Sequence, residues 1–164
     1  PGATNVLRTG NRQAAIWTLL GDIGKGILAV ALAVATAKLH QQGMAGLALV
    51  GLAAFIGHLF PIWHRFQGGK GVATAAGVLL MLHPWMGMAT VLTWLITAIV
   101  FRYSSLAALT AAFVAPGFAY VFHGGFDLVA GVSVMSILLV LRHRPNIAKL
   151  LRGEESKIGQ RSKA

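Results

Sequence analysis

The sequence predicts an all-α, polytopic integral membrane helix bundle, from its hydropathy, the spacing of its apolar runs and the distribution of its cations. Hydrophobic residues make up 56% of 164 and charged residues 11%, and mean hydropathy is +0.71, far more apolar than one soluble core requires. Apolar runs at Ala14–Leu39, Met44–Ile62, Val72–Leu82, Trp85–Phe101, Leu106–Phe122 and Leu128–Leu141 read as six spans joined by short polar or glycine-bearing links. All belong to a single membrane domain over residues 1–164.

The cations set the orientation. If the spans alternate, one side receives Arg8, Arg12, Arg65, Lys70, Arg102 and a tail carrying Arg142, Arg144, Lys149, Arg152, Lys157, Arg161 and Lys163. Lys38 alone falls opposite, and Lys25 lies within the first span. This is the positive-inside pattern, with the basic side cytoplasmic. The net charge of +10 is then a topology signal rather than a sign of nucleic-acid binding. Val72–Leu82 is short, because eleven residues rise only about 16 Å, but parity requires its crossing. After the last span, Pro145 opens a helix whose Ile147, Leu150 and Leu151 form an apolar stripe suited to the membrane interface.

Three polar motifs share the basic side. The first, Gly2-Ala3-Thr4-Asn5-Val6-Leu7-Arg8, sets Asn5 and Arg8 three apart, on one face of a helix; Arg8 can grip a phosphate bidentately. The second runs from Gly57-His58 to Phe66-Gln67-Gly68-Gly69-Lys70-Gly71-Val72-Ala73-Thr74. Its glycines turn backbone N–H groups toward an anion, Lys70 adds a point charge and a helix N-terminus follows. It is not a nucleotide P-loop: His64 stands where the leading glycine belongs, and Gly71 where a Ser or Thr follows the lysine. The third is Arg142-His143-Arg144-Pro145-Asn146 through Gly153-Glu154-Glu155. Here His143 can take a proton near neutral pH, and the Asn146 amide can donate to a hydroxyl or phosphate oxygen. The same residues also fit basic connectors and helix caps.

Asp22 and Lys25, three apart inside the first span, share a helix face; they read as a structural ion pair in the bundle interior. The histidines, His58 and His64 among them, form no metal motif. Absent cysteine excludes thiol chemistry. Asp22, Asp127, Glu154 and Glu155 poorly supply a two-carboxylate glycosidase, and Ser104-Ser105 lacks a nucleophile elbow. Gathered cations without acids point to substrates that bring their own negative charge. A rival reading is a small transporter of an anionic solute, coupled through Asp22 and Lys25.

With these motifs in this order and spacing, the chain resembles the bacterial acyl-phosphate glycerol-3-phosphate acyltransferases, the PlsY family. The resemblance implies a bacterial inner-membrane protein of seven spans, one N-terminal helix and a motif serine preceding Pro1. It implies acyl transfer from acyl phosphate to the 1-hydroxyl of glycerol 3-phosphate, giving lysophosphatidic acid and phosphate. It implies no cofactor, metal or nucleic acid; the partners are the two substrates and membrane lipids. Carried onto this sequence, Gly68, Gly69, Lys70 and Gly71 hold glycerol 3-phosphate, while Thr4, Asn5 and Arg8 attend phosphate charge. His143 and Asn146 orient the attacking hydroxyl. Ser105 is a further donor; His58, Asp22 and Lys25 are structural or supporting, as is Glu154, pairing with a cation of the first two motifs.

Overall fold

A computed structural model describes residues 2–36 and 43–160, and of Arg8 and His64 it describes the backbone alone. The roles expected of the Arg8 side chain and of Lys38, Arg161 and Lys163 therefore lie outside the described residues. The described chain forms α1 (Ala3–Arg8), α2 (Arg12–Ala35), α3 (Gly43–Leu59), α4 (Val72–Leu82), α5 (Pro84–Phe101), α6 (Ser104–Phe122), α7 (Phe126–Arg142) and α8 (Arg144–Leu151). A single 3-10 turn, Ile62–His64, follows α3.

The membrane helix bundle is as expected, with a smaller count of full-length spans than the six expected. Among the described residues, by length and composition, α2, α5 and α6 are long and apolar enough to cross a membrane, and α7 with α8 adds a fourth if that bent pair is one span. The α3 helix has 17 residues, about 25 Å. The 11-residue α4 follows a glycine segment that runs back beside the last turn of α3: Gly68 N–H donates to Leu59 C=O at 3.2 Å.

Helix ends follow local chemistry. The Asn11 side chain accepts from Ala14 N–H at 2.9 Å to start α2. Pro84 opens α5, and Pro145 opens α8. Between α7 and α8 the axis turns by 59° at His143, and Gly153, at φ +71°, ends α8.

The α4 helix packs between α2, α3 and α5. A Cβ at Gly26 would strike Thr74 C=O and Val78 N–H, and one at Gly77 would strike Ile23 C=O. The α2 and α4 backbones thus touch through small residues, the membrane substitute for a hydrophobic drive between helices. Phe55, Leu59, Val78, Met86 and Leu128 are fully buried in the core. Phe113 and Val121 are 85% and 74% exposed, so apolar side chains face outward as lipid contact requires.

Candidate substrate site

The glycine loop is held from both edges. Arg142, the last residue of α7, donates through Nη2 to Gly68 C=O at 2.9 Å and through Nε and Nη2 to Gly69 C=O, both at 3.3 Å. Its guanidinium also lies 5.4 Å from the centre of the Phe60 ring. Drawing the carbonyls to one side lets such a loop aim its amides to the other. Gly71 is the N-cap of α4 at φ +81°, a conformation that favours glycine, and a Cβ there would overlap Phe55 and Leu59.

The third motif meets this loop directly. Lys70 Nζ donates to Asn146 Oδ1 at 2.5 Å, and Asn146 Nδ2 donates to Glu155 Oε1 and Oε2 at 3.0 and 3.2 Å. Because a carboxylate only accepts and an ammonium only donates, the two partners fix the orientation of the Asn146 amide. The expected partner Glu154 is corrected: it pairs with Arg152 on the surface at 2.8 Å, both side chains more than half exposed. The buried acid is Glu155, since the left-handed turn at Gly153 sends residue 154 outward and the next residue inward.

His143 is also buried, just past the end of α7. Its Nδ1 lies 2.8 Å from Leu139 C=O; since the carbonyl can only accept, Nδ1 carries the hydrogen and Nε2 the lone pair. Burial holds the ring below the ordinary histidine range and the Lys70 ammonium adds to this, against the opposing Leu139 carbonyl and Glu155. The ring is neutral near pH 7.

The first motif forms α1 at the same end of the bundle. Thr4 Oγ1 and Ser104 Oγ are 3.2 Å apart, so α1 meets the start of α6 through Ser104. Ser105 Oγ is buried without a hydrogen-bond partner among the described residues. Thr4, Asn5, Gly68–Gly71, Ser105, His143 and Asn146 all line one cavity of about 940 Å³. Its far wall is apolar, built from Leu79 on α4, Trp94 on α5 and the small stripe Ala108, Ala111, Ala112 and Ala115 on α6.

Asp22, Lys25 and His58 form the neighbouring cluster. Lys25 Nζ donates to Asp22 Oδ1 at 2.7 Å and also contacts His58 Nδ1, which lies 3.4 Å from Asp22 Oδ1. Asp22 and His58 line the same cavity. Sequence reasoning placed Arg142 and Glu155 in the third motif without giving either a role in the site, and it gave none to Ser104. Arg142 carried a signal in its place beside His143, but it read as a topology cation.

A site with cations and glycine amides at one end and an alanine-lined apolar wall at the other suits an amphipathic anion at a membrane surface. Residues 1–153 match the family described as Glycerol-3-phosphate acyltransferase, and the chain belongs to that family. It is 62% identical over its whole length to 79% of a glycerol-3-phosphate acyltransferase of Ralstonia pickettii. It is 60% identical, over 99% of its length, to 81% of one from Cupriavidus taiwanensis. Among solved structures, an integral membrane glycerol 3-phosphate acyltransferase, PlsY, superposes in its glycerol 3-phosphate form with a TM-score of 0.88. That match has 35% identity and covers 96% of this chain and 78% of the other. A lysophosphatidic acid form gives a TM-score of 0.87 at the same identity, over 96% and 79%.

Proposed function

We propose that this acyltransferase takes its acyl group from acyl phosphate and forms 1-acyl-glycerol 3-phosphate and inorganic phosphate. The observation that carries the reading is the meeting of Lys70, Asn146 and the Gly68–Gly71 loop at the polar end of a cavity whose other wall is apolar. Two phosphates and one fatty chain then find, respectively, cations with N–H donors and an alanine-lined slot.

In this scheme the loop and Lys70 hold the phosphate of glycerol 3-phosphate, with Arg8, Thr4 and Asn5 attending phosphate charge on either substrate and Ser105 as a further donor. The 1-hydroxyl oxygen attacks the acyl carbonyl carbon, the bond from that carbon to the phosphate oxygen breaks, and phosphate leaves with the electron pair. The hydroxyl proton passes to His143 Nε2, whose lone pair is available in the neutral ring, or to a substrate phosphate oxygen. Asn146 is held by Glu155 in the orientation that sets Lys70. The site end faces the cytoplasm of a bacterial inner membrane, as the positive-inside rule favours for the face bearing Lys70, Arg142, Arg144, Lys149 and Arg152.

The test is donor choice. Purified protein with glycerol 3-phosphate is given palmitoyl phosphate, palmitoyl-CoA or palmitoyl acyl carrier protein, and lysophosphatidate is measured by mass spectrometry. Product from the phosphate alone supports the proposal; equal product from the thioesters sinks it.

A further inference from the structure

The Asp22–Lys25 pair sits against His58, and His58 sits against the glycine loop. This chain of contacts reaches the site without being part of the motif-to-motif bonds described above. Lys25 carries its donors to both Asp22 Oδ1 and His58 Nδ1. An ammonium has no lone pair to accept with, so Nδ1 accepts and the His58 hydrogen is on Nε2. That edge of the ring faces Gly69, where an added Cβ would overlap Nε2 and crowd Cε1 and Cδ2. The His58 side chain is only 9% exposed, so the ring has little room to swing aside.

The glycines of the loop are therefore required for different reasons. Gly71 has a positive φ, whereas Gly69 does not. At Gly69 the demand for glycine is steric, imposed by one side chain. At Gly68 it is imposed by backbone, since a Cβ there would strike His58 C=O and Leu59 C=O.

We propose that His58 is a positioning residue for the phosphate loop. The Asp22–Lys25 pair sets the ring, the ring edge braces Gly69, whose carbonyl Arg142 holds, and the brace fixes the loop geometry that receives the polyol phosphate. The inference rests on the loop holding glycerol 3-phosphate, as proposed above. It gives the Asp22–Lys25 ion pair a part in substrate affinity, in place of a role confined to folding.

The experiment is a double-mutant cycle read as KM for glycerol 3-phosphate, with kcat and the donor KM measured alongside. His58→Ala and Lys25→Met each raise that KM about fivefold or more while kcat and the donor KM stay within about twofold. Gly69→Ala raises it further in the wild-type background. In the His58→Ala background, Gly69→Ala adds nothing, because the methyl group occupies the space left by the ring. Gly68→Ala remains fully damaging there, because its clash is with carbonyls that the substitution leaves in place. Multiplicative effects of His58→Ala and Gly69→Ala, or an unchanged KM in folded His58→Ala protein, overturn the proposal. Loss of dependence on glycerol 3-phosphate in the wild-type protein would instead overturn the underlying function, so the two failures are distinct.

Discussion

Removing Arg142 isolates the contribution of the loop's carbonyl side. In Arg142→Ala the Gly68 and Gly69 carbonyls lose three donor contacts and Phe60 loses the guanidinium over its ring. A hydrogen bond to a charged group contributes about 1.5–3 kcal/mol, and we take about 2 for the pair of carbonyls because water replaces part of the loss at this half-buried site. The cation–π contact adds about 0.5–1 kcal/mol. A total of about 2.5–3 kcal/mol, at about 1.4 kcal/mol per tenfold, raises KM for glycerol 3-phosphate about a hundredfold. Arg142→Lys keeps the charge but cannot span both carbonyls as the planar fork does, and should recover only part of this, leaving about a tenfold defect. The assay is phosphate release against glycerol 3-phosphate concentration at saturating acyl phosphate, with folding checked by thermal unfolding in detergent. A folded Arg142→Ala protein with KM within about threefold of wild type would refute the clamp.

Other outcomes follow from the same geometry. Asn146→Asp sets a second carboxylate beside Glu155, in place of the amide that donates to it; kcat/KM should fall by at least about a hundredfold, more than for Asn146→Ala, because like charges add to a lost bond. Gly71→Ala combines a left-handed backbone, about 1 kcal/mol, with overpacking against Phe55, about 1–3 kcal/mol, and should lower Tm markedly. His143 is held below the ordinary histidine value of 6.5, so the unfolded chain takes up its proton first as pH falls. Stability should be lost from about pH 6.5 downward to the folded value, and His143→Asn should flatten that slope in unfolding midpoints measured against pH.

Much of the site was legible because its chemistry is carried by residue types at short spacings. The glycine-lysine loop, Asn146 and His143 stand at one cavity as their motifs indicated, and the family resemblance matches residues 1–153. What escaped was decided by direction. Glu154 and Glu155 are adjacent acids, and which one turns inward depends on the chain direction after the left-handed Gly153 and on the Asn146 amide that Glu155 meets. Arg142 was indistinguishable by sequence from the cations that set topology, since a guanidinium reaching back 73 or 74 residues to a carbonyl leaves no local pattern. The short α4 read as a span because parity demanded one. The glycine segment before it runs back beside the last turn of α3, and hydropathy does not register backbone shape. Asp22 and Lys25 were correctly paired by their i,i+3 spacing, but their route to the loop runs through His58, 33 residues from Lys25.

The central claim, that one loop-centred site brings an acyl phosphate to glycerol 3-phosphate, is tested most directly by inorganic phosphate release from palmitoyl phosphate with and without the polyol phosphate. Release that requires both substrates, matches lysophosphatidate formation one for one and weakens about ten- to a hundredfold in glycerol 3-phosphate KM on Lys70→Ala is the result expected from a lost charged hydrogen bond. Release that proceeds at the same rate without glycerol 3-phosphate, or a Lys70→Ala protein with unaltered KM, would contradict it.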